Sequence, residues 1–274
     1  MAGKLIVVGT PIGNLSDFSP RAIETLQTCD FIAAEDTRVT VKLLNHFGIK
    51  KPMVSYFEHN KMERGDIICN RMEQGEVCVL VSDAGMPAIS DPGDLLVAQC
   101  VQRNIPVYVV PGPTAVISAL AVSGLPTGRF TFEGFLSMNK KSRREHLEEV
   151  KKERRTMVFY EAPHKLASTL QDMLAAWGDR RIAIVREITK IHEEVIRTTL
   201  KEAVQRYSNE NAKGELVLVI EGAEKEKEAQ ITIEEAVQKA KTYLQDGMSA
   251  LESSKKSTQE TVVKKGDIYR FLTM

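Results

Sequence analysis

Apolar runs without polar alternation recur along the first half of the chain, and each run ends at a turn rich in glycine or proline. The clearest is Val77–Val81, which reads VCVLV and is followed by small residues at 82–87 and by a second turn at 90–93. An uninterrupted β-branched run is typical of a strand buried on both faces of a parallel sheet. Four more runs predict strands, and the first and last of these are also expected to be buried: Lys4–Val8, Phe31–Ala34, Met53–Ser55 and 106–110.

Helical patterns lie between these runs. Residues 19–28 predict a helix with Ser19 as its N-cap and Pro20 at its first position, where both residue types are favoured. Thr114 is suited to cap a later helix that is rich in small residues. The other predicted helices of this half are 41–47, 94–103 and 115–122. Strands that alternate with helices in this way predict an α/β fold built on a parallel sheet.

Three of the turns directly follow predicted strands, near Gly9, Asp83 and Gly112. The carboxyl ends of parallel strands meet at one edge of a sheet, which is where open α/β sheets bind their ligands. The three turns are therefore expected to converge on a ligand cleft.

A dinucleotide site is an alternative interpretation of the first turn. Glu35 and Asp36 follow the second predicted strand at roughly the distance expected of a ribose-binding acid. The GxGxxG fingerprint, however, needs glycine at its second position so that backbone can approach a pyrophosphate, and Pro11 occupies that position without an N–H donor. A nicotinamide or flavin site therefore remains the less favoured alternative.

The second half of the chain predicts another α/β domain. Phe130–Phe135 reads as its first strand, and 138–155 reads as one highly charged helix with eight basic and four acidic residues. A helix over Leu166–Trp177 ends at Gly178. Three further strands are predicted at 156–160, 182–185 and 215–221, and the polar run after 185 is expected to be a connection.

The C-terminal part is predicted to be a polar linker from Lys225 and a small helical tail. Ile233–Gln245 has a helical pattern, and apolar residues beyond it are spaced to form a small helical pair: Val262, Val263, Ile268, Tyr269, Phe271 and Leu272. The tail is either a helix-turn-helix-like nucleic-acid module or a mobile end. The predicted domains are thus 1–122, 123–224 and 225–274.

Composition narrows the function in three respects. Lys plus Arg and Asp plus Glu both number 37 in 274 residues, so any nucleic-acid site must be local. The four cysteines form no CxxC pair, and they suit buried free thiols in a reducing compartment better than zinc ligands or disulfides. The sequence has neither a signal peptide nor a segment long enough to span a membrane, and a cytoplasmic location is expected.

Three sets of polar or charged residues have alternative interpretations. Basic residues cluster at one end of the predicted charged helix, where they either form a solvated face or contact phosphate: Lys140, Lys141, Arg143 and Arg144. His59 is either an ordinary surface histidine or a polar contact to substrate. The run Glu35 to Arg38 either forms a local ion pair or faces the cleft.

Six segments of the chain read, in order, GTPIGNLSD, AEDTR, VSDAGMPAISDPG, PGPTA, FYEAPHK and REITKIHEE. In this order and spacing they resemble the tetrapyrrole-methylase-like (class III) S-adenosylmethionine-dependent methyltransferases, and the resemblance covers about 4–222. The branch that they resemble most methylates the 2′-oxygen of a cytidine in 16S rRNA of the small ribosomal subunit. Met86 stands where the family commonly has threonine, and Phe57 where histidine is common.

The resemblance implies two α/β domains with S-adenosylmethionine in the cleft between them, a small helical tail and a homodimer. By motif, the cofactor would be surrounded by residues of the three turns: Gly9, Pro11, Asp83, Ala84, Gly85, Met86, Pro87, Ile89, Thr114 and Ala115. Residues of the second domain would close the site: Tyr160, Glu161, Leu216, Val217 and Leu218.

A ribose hydroxyl is a poor nucleophile, so a positioned base would assist methyl transfer to it. Our hypothesis from the sequence is that Glu187 or Asp36 accepts the proton, because both follow strand ends that are expected to face the cleft. Lys190 or Arg38 would then hold the adjacent phosphate or polarise the hydroxyl.

Two other functions share many of these features. A methyltransferase acting on a tetrapyrrole would use the same cleft without a basic surface. A ribosome-binding protein without enzymatic activity would use the cofactor only for structure. By resemblance, AEDTR and REITKIHEE favour the RNA-directed enzyme over the first alternative.

Overall fold

The computed structural model describes residues 3–91, 93–224, 232–261 and 263–273. Pro92 of the second central turn, Val262 and the first seven residues of the predicted linker lie outside the described residues. The described chain forms two compact units, Met1–Ala223 and Glu224–Met274.

The first sheet is five-stranded and parallel, with the strand order β3-β2-β4-β1-β5. Its strands are β1 (Lys4–Val8), β2 (Phe31–Ala34), β3 (Met53–Ser55), β4 (Val77–Val81) and β5 (Val107–Val110). The helices that connect or follow them are α1 (Pro20–Thr28), α2 (Thr37–His46), α3 (Lys61–Glu73), α4 (Gly93–Gln102) and α5 (Ala115–Val122).

Side chains of the central strands bury both faces of this sheet. Leu5, Phe31 and Cys78 pack in one core cluster, while Ile32 and Val79 pack in a second cluster on the other face. The uninterrupted apolar runs thus predicted the two-sided burial correctly for the inner strands. For β5 this prediction was wrong, because β5 is the edge strand of the sheet and exposes Tyr108 and Val109.

The second sheet is mixed, with the strand order β6-β7-β10-β8-β9. Only β6 and β7 pair in parallel, and the other neighbours are antiparallel. The strands are β6 (Phe130–Phe135), β7 (Thr156–Glu161), β8 (Arg181–Arg186), β9 (Glu194–Thr199) and β10 (Leu216–Ile220), and the helices are α6 (Lys140–Glu149), α7 (Leu166–Trp177) and α8 (Leu200–Tyr207).

Two expectations for this half need correction. The charged helix α6 is ten residues long rather than spanning 138–155, because the chain leaves helical geometry after Val150, whose side chain packs against the core beneath the sheet. Strand β9 and helix α8 follow the polar run after β8, where only a connection was expected. As an edge strand with half-buried side chains, β9 has no continuous apolar signal.

Both sheets belong to the unit Met1–Ala223. Helix α5 follows the first sheet in sequence but packs its Val116, Ala119 and Leu120 against Val158 and Val217 of the second sheet. The connection between the sheets therefore forms part of the second core, and it brings the turn after β5 beside the second sheet.

The described residues of the C-terminal unit form three helices: α9 (Ile233–Gln245), α10 (Ala250–Thr261) and α11 (Lys265–Thr273). Thr232 and Glu235 form a capping box at the start of α9. Ala236 and Ala240 of α9 pack with Ile268 of α11, so this unit has a small core of its own. A helical tail was predicted, although α10 was not recognised as a third helix.

Candidate active site

The turns after β1, β4 and β5 meet at one edge of the first sheet. Thr10 and Gly85 form an isolated antiparallel bridge, in which each backbone N–H donates to the other residue's carbonyl, at 2.9 and 3.2 Å. The Thr10 hydroxyl also donates to the Ser82 carbonyl, 3.2 Å away. The predicted convergence of these turns is confirmed, and hydrogen bonds tie the first turn directly to the central one.

The first and third turns approach so closely that only glycine fits between them. A Cβ atom added to Gly9 would lie 2.7 Å from the Cα atom of Gly112 and 2.6 Å from the sulfur of Met86. The Gly112 N–H donates to this sulfur at 3.3 Å. Met86 thus links the central and third turns through its thioether.

The central turn is strained and held in place by a carboxylate. Ala88 and Ser90 have φ angles of 68° and 65°, a region that residues with a Cβ rarely adopt. The Oδ1 atom of Asp91 accepts the N–H groups of Ala88 and Gly93 at 2.7 and 2.9 Å. Burial is the main cause that raises the pKa of Asp91. Strain held by surrounding hydrogen bonds is typical of functional loops.

A cavity of about 720 Å³ lies between these turns and the second sheet. Eleven of the fifteen residues predicted to bind cofactor line it: Asp83, Ala84, Gly85, Met86, Ile89, Thr114, Ala115, Tyr160, Glu161, Leu216 and Val217. Gly9, Pro11 and Pro87 are not among the lining residues. Leu218 is fully buried in the core cluster on the face of β10 opposite to Val217.

Sequence reasoning missed an aromatic wall of the cavity on β6. The rings of Phe132 and Phe135 lie 5.0 and 5.3 Å from the ring of Tyr160, and all three residues line the cavity. Positions 132 and 135 would face opposite sides of a regular strand. A register shift between Phe132 and Gly134, where Gly134 has a φ angle of 65°, brings them to the same face. Glycine within the strand FTFEGF was the available signal.

One side of the cavity is acidic. Glu35 lines the cavity, and its Oε2 atom accepts the N–H group of Asp83 at 3.3 Å. Oδ1 of Asp83 in turn accepts the N–H group of Asp36 at 3.1 Å. Burial is the main cause that raises the pKa values of Glu35 and Asp83. With Asp91, these carboxylates favour a positively charged ligand at this side.

Asp36 and Arg38, both proposed as catalytic from the sequence, bind each other. Asp36 caps helix α2 by accepting the Arg38 N–H at 2.8 Å, and its other carboxylate oxygen contacts the Arg38 guanidinium at 2.6 Å. Hydrogen bonds from Arg38 lower the pKa of Asp36 to about 2. Neither residue is among those lining the cavity. The Arg38 side chain is 88% exposed beside the acidic side.

Glu187 and Lys190 also form an ion pair. Oε1 of Glu187 accepts Lys190 Nζ at 2.8 Å and the Glu215 N–H at 2.9 Å, and hydrogen bonding from Lys190 is the main cause that lowers the pKa of Glu187. Glu187 has a φ angle of 50°, so the clamp holds a strained connection between β8 and β9. Ile188 and Glu215 line the cavity, whereas Glu187 and Lys190 do not.

Although Glu161 lines the cavity, its carboxylate is bound by neighbouring groups of the protein. Its carboxylate accepts the Ala162 N–H at 2.7 Å and the Thr169 hydroxyl, and Lys165 Nζ lies 3.1 Å away. Burial raises the pKa of its neighbour Tyr160, whose ring lies in the aromatic wall. These contacts make Glu161 a rigid part of the cavity wall.

The basic residues predicted to contact RNA divide into two groups. Lys140, Lys141 and Arg144 are exposed on α6. Arg143 is buried, and its Nε atom donates to Asp172 of α7 at 2.7 Å, so its guanidinium joins two helices. His59 is exposed in the turn after β3, beside the ring of Phe57.

All four cysteines are free and buried, as predicted: Cys29, Cys69, Cys78 and Cys100. Within the described ranges, no group of three His, Cys, Asp or Glu side chains is placed to bind a metal ion. None of the helices described here has the length and apolar character needed to cross a membrane.

Comparison with known proteins decides the family. The family described as Tetrapyrrole (Corrin/Porphyrin) Methylases matches residues 4–204. The chain belongs to the tetrapyrrole methylase family. The resemblance inferred from the six sequence motifs is therefore confirmed.

Relatives within the tetrapyrrole methylase family are close. A Synechocystis protein named ribosomal RNA small subunit methyltransferase I is 44% identical over 98% of this chain and 96% of its own length. The protein of the same name from Halalkalibacterium halodurans is 47% identical, with 97% and 93% covered. That from Thermotoga maritima is 49% identical, and its full length matches 81% of this chain.

Solved structures confirm the tetrapyrrole methylase fold at lower identity. The methyltransferase CobJ has a TM-score of 0.61 and 19% identity, with 81% of this chain and 95% of that chain covered. Uroporphyrin-III C-methyltransferase from Thermus thermophilus, complexed with S-adenosylhomocysteine, has a TM-score of 0.55 and 19% identity, with 79% and 97% covered.

Proposed function

We propose that this methyltransferase transfers a methyl group from S-adenosylmethionine to the 2′-oxygen of a cytidine in 16S rRNA of the small ribosomal subunit. The observation that carries the proposal is the match along 98% of the chain to a relative named for small-subunit ribosomal RNA methylation. The choice of the ribose oxygen and of cytidine rests on the family branch that the six sequence motifs resemble most.

The cavity suits the cofactor chemically. S-adenosylmethionine supplies an electrophilic methyl group on a cationic sulfonium, and it also carries an adenine and an amino acid group. Asp83 and Asp91 provide negative charge at one side, where their carboxylates would stabilise a cation. Phe132 and Tyr160 provide an apolar wall for a flat ring.

The three turns would hold the cofactor mainly through backbone groups. Gly9 and Gly112 leave no room for a side chain between the first and third turns, and Met86 joins the third turn to the central one. We assign cofactor binding to the lining residues of these turns, including Asp83, Ile89 and Thr114. A rigid site of this kind favours transfer by alignment of the nucleophile with the methyl group.

We assign RNA contacts to the exposed cations of α6 and to the surface beside the acidic side of the cavity. Lys140, Lys141 and Arg144 are exposed. Arg38 is exposed in the first turn of helix α2, just after β2, and His59 is exposed in the turn after β3. Arg143 is left out, because its guanidinium already binds Asp172. Phosphate contacts of this kind make binding depend steeply on salt.

The RNA surface is testable by salt titration. Lys140→Ala together with Lys141→Ala removes two cations. The plot of the logarithm of the RNA-binding constant against the logarithm of the salt concentration should therefore become less steep by about 1.5 units. Lys42→Ala together with Lys50→Ala is the matched control, because both lysines are exposed elsewhere on the first half of the chain. Equal slopes for both double variants would remove α6 from the RNA surface.

A tetrapyrrole substrate is the second candidate, because uroporphyrin-III C-methyltransferase has the same fold. The deciding experiment offers small-subunit particles from cells without this protein and uroporphyrinogen side by side, with labelled S-adenosylmethionine. Label in the particle RNA supports the proposal. Label in the tetrapyrrole alone would contradict the proposal and support the second candidate, a tetrapyrrole substrate.

A homodimer is proposed in addition. Edge strand β5 exposes 57% of Tyr108 and 55% of Val109, and 64% of Val101 is exposed on the preceding helix α4. An apolar strand edge of this kind is usually covered in a stable protein. We infer that a second copy of the chain covers it.

A further inference from the structure

The cavity contains a carboxylate whose role neither the fold nor the binding of a cofactor explains. Five carboxylate residues line the cavity: Glu35, Asp83, Asp91, Glu161 and Glu215. If the substrate is a ribose hydroxyl, as proposed above, the reaction releases one proton and a group near the reacting oxygen must accept it. The contacts of the five carboxylates show which of them is available to accept this proton.

Four of the five have partners that explain their position. Glu161 binds Thr169 and Lys165, and Glu215 pairs with Lys190 at 3.2 Å. Asp91 holds the strained central turn through two N–H groups. Asp83 accepts the Asp36 N–H, and the charge of the nearby Arg38 favours its ionised form.

Glu35 differs from all of these. Its only hydrogen bond in the described part of the chain is the 3.3 Å contact from the Asp83 N–H to Oε2, so Oε1 has no protein partner. It takes part in none of the salt bridges found between described residues, and the charged groups facing it are Asp83, Asp91 and Asp36. Glu35 is thus a cavity carboxylate with an available oxygen and no compensating cation.

We propose that Glu35 is the catalytic base that accepts the proton of the ribose 2′-hydroxyl. The hydroxyl oxygen forms a bond to the methyl carbon as the bond from that carbon to sulfur breaks. The O–H proton passes to the Glu35 carboxylate and afterwards to water, and neither an oxidant nor a reductant is needed. Glu35 takes the role that the sequence had assigned to Glu187 or Asp36, which are held in ion pairs.

Partial burial among three carboxylates supports this role. Because burial raises the pKa of Glu35 above its ordinary value of 4.5, its carboxylate is a stronger base than an exposed one. The pKa values of Asp36 and Glu187 are shifted down, which makes their carboxylates weaker bases.

The test compares Glu35→Gln and Glu35→Asp with the wild-type protein, with Glu24→Gln on the exposed face of α1 as control. Single-turnover methyl transfer to small-subunit particles is measured at saturating cofactor, and cofactor affinity is measured separately by calorimetry. We expect Glu35→Gln to lose about 100-fold or more in rate while its Kd for the cofactor changes less than threefold. Glu35→Asp should keep a measurable part of the rate.

The pH profile gives a second readout. The wild-type rate should rise with pH as Glu35 loses its proton and then level off, and Glu35→Gln should lose this rise. Retention of the full rate in Glu35→Gln would overturn the proposal, and so would a loss that appears only as weaker cofactor binding. Failure of the wild-type protein to methylate ribose would instead refute the proposed function, before any variant is made.

Discussion

Some charged residues around this cavity form ion pairs within the fold, and others face the ligand. Their positions in the sequence alone do not distinguish these two roles. Asp36 and Glu187 each follow a strand that ends near the cleft, yet both carboxylates bind backbone N–H groups and a nearby cation. Glu35, one residue before Asp36, lines the cavity instead. Adjacent residues at the end of a strand point in opposite directions, so a shift of one position decides which carboxylate faces the ligand.

The Glu187 clamp should contribute pH-dependent stability. Its folded pKa is depressed, so the stabilisation is present above the ordinary value of 4.5 and is lost as the pH falls through the depressed pKa. Glu187→Gln should therefore lower the melting temperature at pH 7, and this difference should shrink as the pH falls below 4.5. Thermal melts over this range check the result, and a difference that does not change with pH would contradict the assignment.

The contact between Gly9 and Gly112 should not tolerate a methyl group. Gly9→Ala places a carbon 2.7 Å from the Gly112 backbone, which we expect to cost about 1–3 kcal/mol and to weaken cofactor binding at least tenfold. Gly128→Ala is the matched control, because nothing lies within 4 Å of its added Cβ. Calorimetry with S-adenosylmethionine compares the two. Unchanged affinity in Gly9→Ala would exclude these turns from the cofactor site.

The N-cap residue of α5 both stabilises its helix and lines the cavity. Thr114 Oγ1 accepts the Ile117 N–H at 3.2 Å, and Thr199 caps α8 in the same way at 3.3 Å. Removing either cap should lower the free energy of unfolding by about 1 kcal/mol. Only Thr114 lines the cavity, so Thr114→Ala should also weaken cofactor binding while Thr199→Ala should not. Denaturant unfolding and calorimetry separate these effects.

The inner elements of the fold could be predicted because their local signals agree with their environment. Strand β4 lies between two strands, and its apolar run gave its bounds correctly. Edge strands carry weaker signals: β9 was missed, and β5 was wrongly expected to be buried. Burial of β5 depends on what lies beside it in the sheet, which no local pattern records.

The convergence of three turns was predictable, while the walls of the cavity were less so. Strand ends of a parallel sheet must meet, so the first, central and third turns identified the cleft. The aromatic wall required a bulge at Gly134, and the acidic side required the pairing of β2 with β4, which brings Glu35 beside Asp83. The identity of the cofactor came only from resemblance, because small-residue turns suit many ligands.

The exposed edge of β5 predicts that the protein assembles as a homodimer. Val109→Asp puts a charge in the proposed contact between two copies and should convert the dimer to a monomer in sedimentation equilibrium. Val39→Asp, on the exposed part of α2, should leave the assembly unchanged. A wild-type protein that sediments as a monomer would contradict the proposed homodimer.

The proposed function and the proposed catalytic base both require ribose methylation of RNA. This is measured by transfer of radiolabelled methyl from S-adenosylmethionine to small-subunit particles from cells that lack this protein, followed by alkaline and nuclease digestion of the RNA. Because a methylated 2′-oxygen prevents alkaline cleavage, ribose methylation predicts label in an alkali-resistant dinucleotide whose first nucleotide is cytidine. Label in an ordinary mononucleotide would mean methylation of a base and would contradict it.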